Sequence, residues 1–187
     1  MPKTPDGSKK LLKELNSQLK TLQGELIKAN KAEGIDAYIT VKVDTNQAHF
    51  QRIKKKDVED KAVGNFLLEL AVSATQQPVF IPLSIASGKK PAGFLYQIEG
   101  TAEGMLAGAS VTCRGDGVTQ VTLGTLLYAK IPTGKTASFR IQATIRGKFG
   151  KTYKIIISRI NYKLTLSDAR YQQYFKEIVS DTINFRN

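Results

Sequence analysis

Cys113 and His49 are the sole cysteine and the sole histidine of this 187-residue chain. Brought together in one cleft they would make a thiolate and its base, the minimum for nucleophilic thiol chemistry. Arg114 beside Cys113 would favour the thiolate, but a lone cysteine in apolar surroundings behaves as a small buried hydrophobe. His49 has no second histidine or acidic cluster near it, so it forms neither a triad nor a metal site and reads as a half-exposed strand residue. Gly134-Lys135-Thr136 has the ending of a phosphate-binding loop. The glycine that motif needs earlier would fall at Ala129, however, and the stretch leads into a strand where the motif needs a helix. Arg114-Gly115-Asp116 is a tripeptide read by some adhesion receptors, set in a Gly-rich turn. The carboxylates are scattered without a pair at acid and base spacing. The sequence therefore predicts no catalytic residue, cofactor, metal site or small-molecule substrate, and a cleft joining Cys113 to His49 would overturn that reading.

Charge is the remaining chemical signal. The formal net charge is +12 and the pI near 9.8, and residues 89–163 hold twelve Lys or Arg against Glu99, Glu103 and Asp116. Such an excess points either to a solvated basic surface or to a polyanionic partner. The cations with the clearest placement are Arg140, Arg146, Lys148 and Lys154. No aromatic residues interleave with them, so base-specific reading of nucleic acid is disfavoured and a shallow electrostatic contact with an anionic polymer is expected.

The elements that position these cations are alternating strands. Phe139, Ile141, Ala143 and Ile145 fall on one face, with Ser138, Arg140, Gln142, Thr144 and Arg146 on the other. Tyr153, Ile155 and Ile157 repeat the pattern, and pairing the two runs leaves Lys148-Phe149-Gly150 as a hairpin loop with Gly150 at a left-handed position. That register places Lys154 opposite Thr144, between Arg140 and Arg146. A phase change from Ile157 to Ile160 predicts a bulge near Ser158 or Arg159.

Further strands are expected at residues 37–43, punctuated by Asp44-Thr45-Asn46, and at 66–72. Val79 to Leu83 follows, with Pro82 forcing an edge or a crossing between sheets. Residues 94–98, 111–113 and 118–127 alternate in the same way. The charged stretch 52–61 reads as a solvated loop or short helix. Ser167 is read as the cap of a short helix presenting Tyr171, Tyr174, Phe175 and Ile178, after which 181–185 closes the domain in extended form. Seven or more short strands without helical crossovers predict an antiparallel β-sandwich, and the alternating faces nominate one core from Phe66, Leu68, Leu70, Phe94, Tyr96, Ile98, Phe139, Ile141, Ile145, Tyr153, Ile155 and Ile157.

Ahead of the strands, Leu12, Leu15, Leu19, Leu22, Leu26 and Ala29 recur at alternating spacings of three and four, an a/d seam of nearly three heptads. Ser8 as N-cap and Gly34 as stop bound an amphipathic, coiled-coil-like helix. Its leucines are the candidate self-association surface: the seam meets either a partner helix, as in a homo-oligomer, or its own domain. No run is long and apolar enough for a transmembrane helix, and Met1 is followed by Pro2-Lys3-Thr4-Pro5-Asp6-Gly7 rather than an apolar leader. As written, the chain reads as cytoplasmic, or as a mature form whose signal or anchor has been removed.

The run Phe66-Leu67-Leu68-Glu69-Leu70, then Val79-Phe80-Ile81-Pro82, then Gly93-Phe94-Leu95-Tyr96-Gln97-Ile98-Glu99-Gly100 resembles an immunoglobulin-like domain of predicted surface proteins from ultrasmall, candidate-phylum bacteria. Ala129 to Thr136, Phe139-Arg140-Ile141 and Tyr153 to Tyr162 continue the likeness, which covers about residues 60–187. A Leu- and Gln-rich helical segment often precedes that domain in the group, as residues 9–31 do here. The resemblance implies a mainly β, immunoglobulin-like antiparallel sandwich at a cell surface or in an extracellular assembly, acting as a non-catalytic structural or adhesion module. The expected organisation is a polar leader and amphipathic helix over 1–34, then the sandwich over 35–187. A polyanion-binding module using the basic sheet face is the alternative.

Overall fold

A computed structural model of the protein describes residues 14–15, 17–18, 21, 38–55, 58–87, 92–100, 105–174 and 176–186. The fold is mainly β, in antiparallel sheets with one short parallel pair. A front layer runs in the order β1 (Ile39–Lys55), β2 (Val58–Ala74), β9 (Thr136–Gly147), β6 (Met105–Arg114). The back layer is built on β10 (Thr152–Tyr162), flanked by β5 (Phe94–Glu99), which pairs in parallel with β4 (Ile85–Ser87). Three short C-terminal pieces, β11 (Gln172–Tyr174), β12 (Ile178–Val179) and β13 (Ile183–Asn184), pair with successive stretches of β10. A third sheet orders β3 (Val79–Pro82), β8 (Leu126–Ile131) and β7 (Thr119–Leu123). It meets the end of β10 where Phe80 and Lys163 exchange two backbone hydrogen bonds of 2.8 Å. β3 thus crosses between sheets, with Pro82 as its last residue, where the missing N–H interrupts no ladder.

One core lies between the layers. Phe66, Leu68 and Leu70 of β2 and Phe139, Ile141 and Ile145 of β9 face Phe94 of β5 and Tyr153, Ile155 and Ile157 of β10, all buried. The Phe94 and Phe139 rings touch across the layers at 5.2 Å between centroids. Tyr96 and Ile98 sit at the margin, half-buried against this cluster. Each fully buried side chain of this size contributes about 1.5–3 kcal/mol relative to exposure, so the alternation of β2, β9 and β10 supplies the main cohesion.

The pairing of these strands corrects the sequence reading. β9 and β10 keep the expected faces but do not form a hairpin. β9 pairs with β2 on one side and β6 on the other, while β10 pairs with β5 and with the C-terminal strands. With both edges of both strands taken, residues 148–151 arch from the front layer to the back. Gly150 takes the expected positive φ, at 76°, in that arch. The bulge expected near Ser158 is present between Ile157 and Arg159.

Other elements differ in extent. β1 runs through Asp44-Thr45-Asn46 by a register shift between Val43 and Thr45 instead of stopping there. Residues 52–55 and 58–61 of the charged stretch extend β1 and β2 instead of forming a loop or short helix, with Ile53 opposite Lys61. Residues 118–127 divide at Gly124 (φ 61°) into β7 and β8. The expected C-terminal helix is not found among the described residues. Asp168 Oδ2 accepts from Thr165 N (3.1 Å) to form a turn, and Tyr174, Ile178 and Ile183 then pair opposite Ile160, Ile157 and Tyr153 of β10. Pairing with a buried strand outweighs a spacing that would give only a short, marginal helix. Phe175 lies outside the described residues. The extended close at 181–185 is present, with Phe185 buried.

Glu14, Leu15, Ser17, Gln18 and Thr21 are helical, with Thr21 Oγ1 donating to Ser17 O at 3.1 Å and Leu15 exposed. Leu12, Leu19, Leu22 and Leu26 lie outside the described residues. Among those described, no helix is long and apolar enough to cross a membrane.

Candidate functional site

The pairing that breaks the hairpin also divides the basic face. Arg140 lies on the outer face of the front layer, beside Glu69 of β2 and Thr112 of β6. Its Nε is 3.7 Å from Glu69 Oε1, and Thr45 Oγ1 donates to Glu69 Oε2 at 3.0 Å. Lys154 belongs to the back layer, where Nζ is 3.0 Å from Glu99 Oε2 on the neighbouring strand. Arg140 and Lys154 therefore each face a carboxylate in a different sheet. Arg146 and Lys148 remain close to one another, at the end of β9 and the start of the arch.

The outer face of the front layer is otherwise an array of amides and hydroxyls. Gln47, Leu67, Gln142 and Ser110 form one row across β1, β2, β9 and β6, and His49, Asn65, Thr144 and Gly108 form the next. Thr144 Oγ1 donates to Asn65 Oδ1 at 2.9 Å. Together they line an open, shallow depression of about 540 Å³. It suits contact with a broad polar surface better than enclosure of a small molecule.

The groups capable of covalent chemistry stay apart. His49 is exposed on the outer face, whereas Cys113 pairs with the inward-facing Phe139 on the opposite side of the same layer. Burial pushes the Cys113 thiol up to about 11, away from thiolate chemistry at neutral pH. Among the described residues no group of three His, Cys, Asp or Glu side chains could hold a metal ion. Gly134-Lys135-Thr136 turns directly into β9, with Gly134 at φ 71°. Lys135 instead binds Asp116 at 2.9 Å. That hydrogen bond, with the attraction of the ammonium charge, holds the Asp116 carboxyl below its usual range. The carboxylate of the Arg114-Gly115-Asp116 turn is thus engaged within the chain.

Lys163, nearly buried, donates to Asp168 O at 2.6 Å and lies 4.9 Å from the Tyr171 ring centroid. Tyr171 shares a 2.8 Å hydrogen bond with Tyr128, and burial followed by that bond raises its phenol. These contacts fasten the 163–171 turn to the third sheet.

The arch gathers a second set of cations from distant parts of the sequence. Arg146 precedes it, Lys148 and Lys151 lie within it, and Arg186 follows Phe185, whose backbone accepts from Gly150 N (2.5 Å) and donates to Lys151 O (2.8 Å). Arg52 of β1 places its guanidinium 5.0 Å from the Phe149 ring centroid. Phe149 in turn lies edge-on to Phe50 (6.3 Å), and Phe50 stacks near Phe185 (5.3 Å). Lys148 N donates to Tyr153 Oη at 3.1 Å. Sequence reasoning reached Arg146 and Lys148 but missed Lys151, Arg52 and Arg186. The spacing of Lys148 and Lys151 in one loop was the only local signal, since Arg52 and Arg186 arrive through tertiary packing.

No protein-family model, curated protein or solved structure matches the chain.

Proposed function

We propose that the chain is a non-catalytic structural or interaction module of immunoglobulin-like architecture. It would act at a cell surface or within an extracellular assembly, and self-associate through the N-terminal seam of Leu12, Leu15, Leu19, Leu22 and Leu26. The observation that supports this reading best is the outer face of the front layer. It is a broad, open array of Gln47, Asn65, Gln142, Thr144 and Ser110 over a half-buried Leu67, with no convergent pair of reactive groups. Open polar faces of this kind can exchange hydrogen bonds with another surface. The exposed Leu15 supports self-association, because an isolated helix of this length is marginal in water without a partner.

Light scattering on the full chain and on the Leu15→Asp, Leu22→Asp double variant tests the proposal. The expected result is an oligomer for the natural sequence and a monomer of unchanged melting temperature for the variant. A natural chain that is monomeric throughout the micromolar range would overturn self-association, and an unchanged mass with a lowered melting temperature would place the seam within a single chain.

A further inference from the structure

We propose that the arch between β9 and β10 is a binding site for a linear phosphodiester polymer, held by Arg146, Lys151 and Arg186 with Lys148 and Arg52 beside them. The proposal deepens the reading of the chain as an interaction module by naming one partner and its site. Between Asp116 and Asp168 the sequence has nine Lys or Arg and no carboxylate. Four of these nine cations are engaged elsewhere: Lys135 with Asp116, Arg140 with Glu69, Lys154 with Glu99, and Lys163 with the Asp168 carbonyl. At the arch the pattern reverses. Arg146, Lys151 and Arg186 are exposed, and none has an ion-pair partner among the described residues.

The site is also built rather than incidental. The two backbone hydrogen bonds between the arch and Phe185, the Lys148 bond to Tyr153 and the Phe50, Phe149, Phe185 ring cluster fix the backbone that carries these cations. Ordering has been completed before a ligand arrives, so binding incurs less conformational cost. An open depression of about 420 Å³ beside Lys151 and Thr152 continues the surface toward the back layer. Glu99 on its rim is occupied by Lys154.

The shape and residue types select the ligand. The cations run from Arg146 at the end of the front-layer strand β9, through Lys148 and Lys151 in the arch, to Arg186 beside it, a path from one layer to the other that a flexible chain can follow. Phe149 is half-buried beneath Arg52, so its ring is not free to insert into a membrane. Three of the five cations are arginines, whose planar fork matches phosphate oxygens. Contacts made by these cations to phosphate oxygens carry no base information, so binding is indifferent to base sequence.

Fluorescence anisotropy with a fluorescein-labelled oligothymidylate tests the site in the full chain. The R146A/K151A/R186A variant is compared with R114A/R170A/K176A, which removes the same charge from exposed positions elsewhere. The natural chain should bind. The arch variant should lose at least about tenfold in affinity, and its log K against log salt slope should fall by about 2, since each single-strand phosphate contact contributes about 0.7. The control variant should change less than about threefold, as expected for a non-local charge effect. Equal losses in both variants, or no binding by the natural chain at low salt, would overturn the proposal. Displacement by poly(glycerol phosphate) as well as by unlabelled oligothymidylate supports the shared phosphodiester chemistry. Displacement by the oligonucleotide alone narrows the source to nucleic acid, and displacement by heparin but neither phosphodiester overturns it. Uptake on phosphatidylserine vesicles without oligonucleotide binding would assign the arch to a membrane and also overturn it. If the triple variant melts early, the single variants carry the same comparison. Helix-mediated mass and arch-mediated anisotropy are separate signals, so failure of one proposal is distinguishable from failure of the other.

Discussion

The ring of Tyr153 occupies the space in which a side chain at Gly147 would stand: a Cβ there would lie 2.5 Å from Tyr153 Cε2, with Phe185 Cε2 at 2.7 Å. Both rings are buried and packed on each other at 4.8 Å, so neither can retreat. Gly147→Ala is therefore expected to destabilise the fold by about 1–3 kcal/mol, the usual cost of overpacking. Gly108, in the neighbouring strand β6, has nothing within 4 Å of the same position. Gly108→Ala should leave stability within about 0.5 kcal/mol of the natural chain. Urea midpoints of the two variants check the contrast, and equal midpoints would contradict the packing at the arch.

Phe185 makes the C-terminus part of the core. It is 1% exposed and meets Phe50 as well as Tyr153. Phe185→Ala should cost about 3–5 kcal/mol, the range for deleting a buried phenyl ring. A loss below about 1 kcal/mol, in the same denaturation assay, would show that residues 178–186 are a dispensable tail.

These two sites also show where the sequence stops being informative. Period-two alternation in β2, β9 and β10 is legible because one face of each strand must leave water, and the core residues nominated from it are buried or packed at its margin. Alternation says which side a residue faces but not which strand lies alongside. A four-residue link carrying Gly150 serves a hairpin or an arch equally well. The choice was made by β2 and β6 occupying the edges of β9, and by β5 and the C-terminal strands occupying those of β10. Apart from that of β11, which follows β10 directly, none of those pairings is between consecutive strands. The basic cluster suffered the same fate: its members were assigned to one face by an assumed register, whereas the actual cluster joins Arg52, Arg146, Lys151 and Arg186 across most of the chain. At the C-terminus, Tyr171, Tyr174 and Ile178 have helical spacing, but the match of Tyr174, Ile178 and Ile183 to β10 decided the outcome.

Asn46 fastens the bulged part of β1 to the C-terminal segment. Its Nδ2 donates to Val179 O at 3.0 Å while its Oδ1 accepts from Asp181 N at 2.7 Å, so one side-chain amide replaces a strand neighbour. Asn46→Ala should cost about 1 kcal/mol, and Asn46→Asp more, because the carboxylate would face the Val179 carbonyl. Hydrogen exchange should report the loss locally. The Asp181 amide should exchange at least about tenfold faster in Asn46→Ala, while amides paired within β9 keep their protection. Uniform acceleration across both segments would mean that the clamp supports the whole fold and not this junction alone.

Cys113 offers a test that depends on pH. Burial raises its thiol from an ordinary value of 9.0 to about 11. At pH 8 the thiolate fraction should therefore be about 100-fold smaller in the folded chain than in the unfolded one, and reaction with a disulfide reagent slower by a similar factor. Adding guanidinium should abolish the difference. The sign of the linked stability follows from the same shift. The folded state holds its proton more tightly, so below pH 9 both states are protonated and the shift contributes no pH dependence. Between about 9 and 11 the unfolded thiol ionises first, and stability falls as pH rises. Cys113→Ser lacks this group and should show a shallower decline of melting temperature across that window, with other titrations common to both proteins. Rapid reaction of the folded chain at pH 8, or parallel melting curves for the two proteins, would place Cys113 in a more solvated setting than its contact with Phe139 implies.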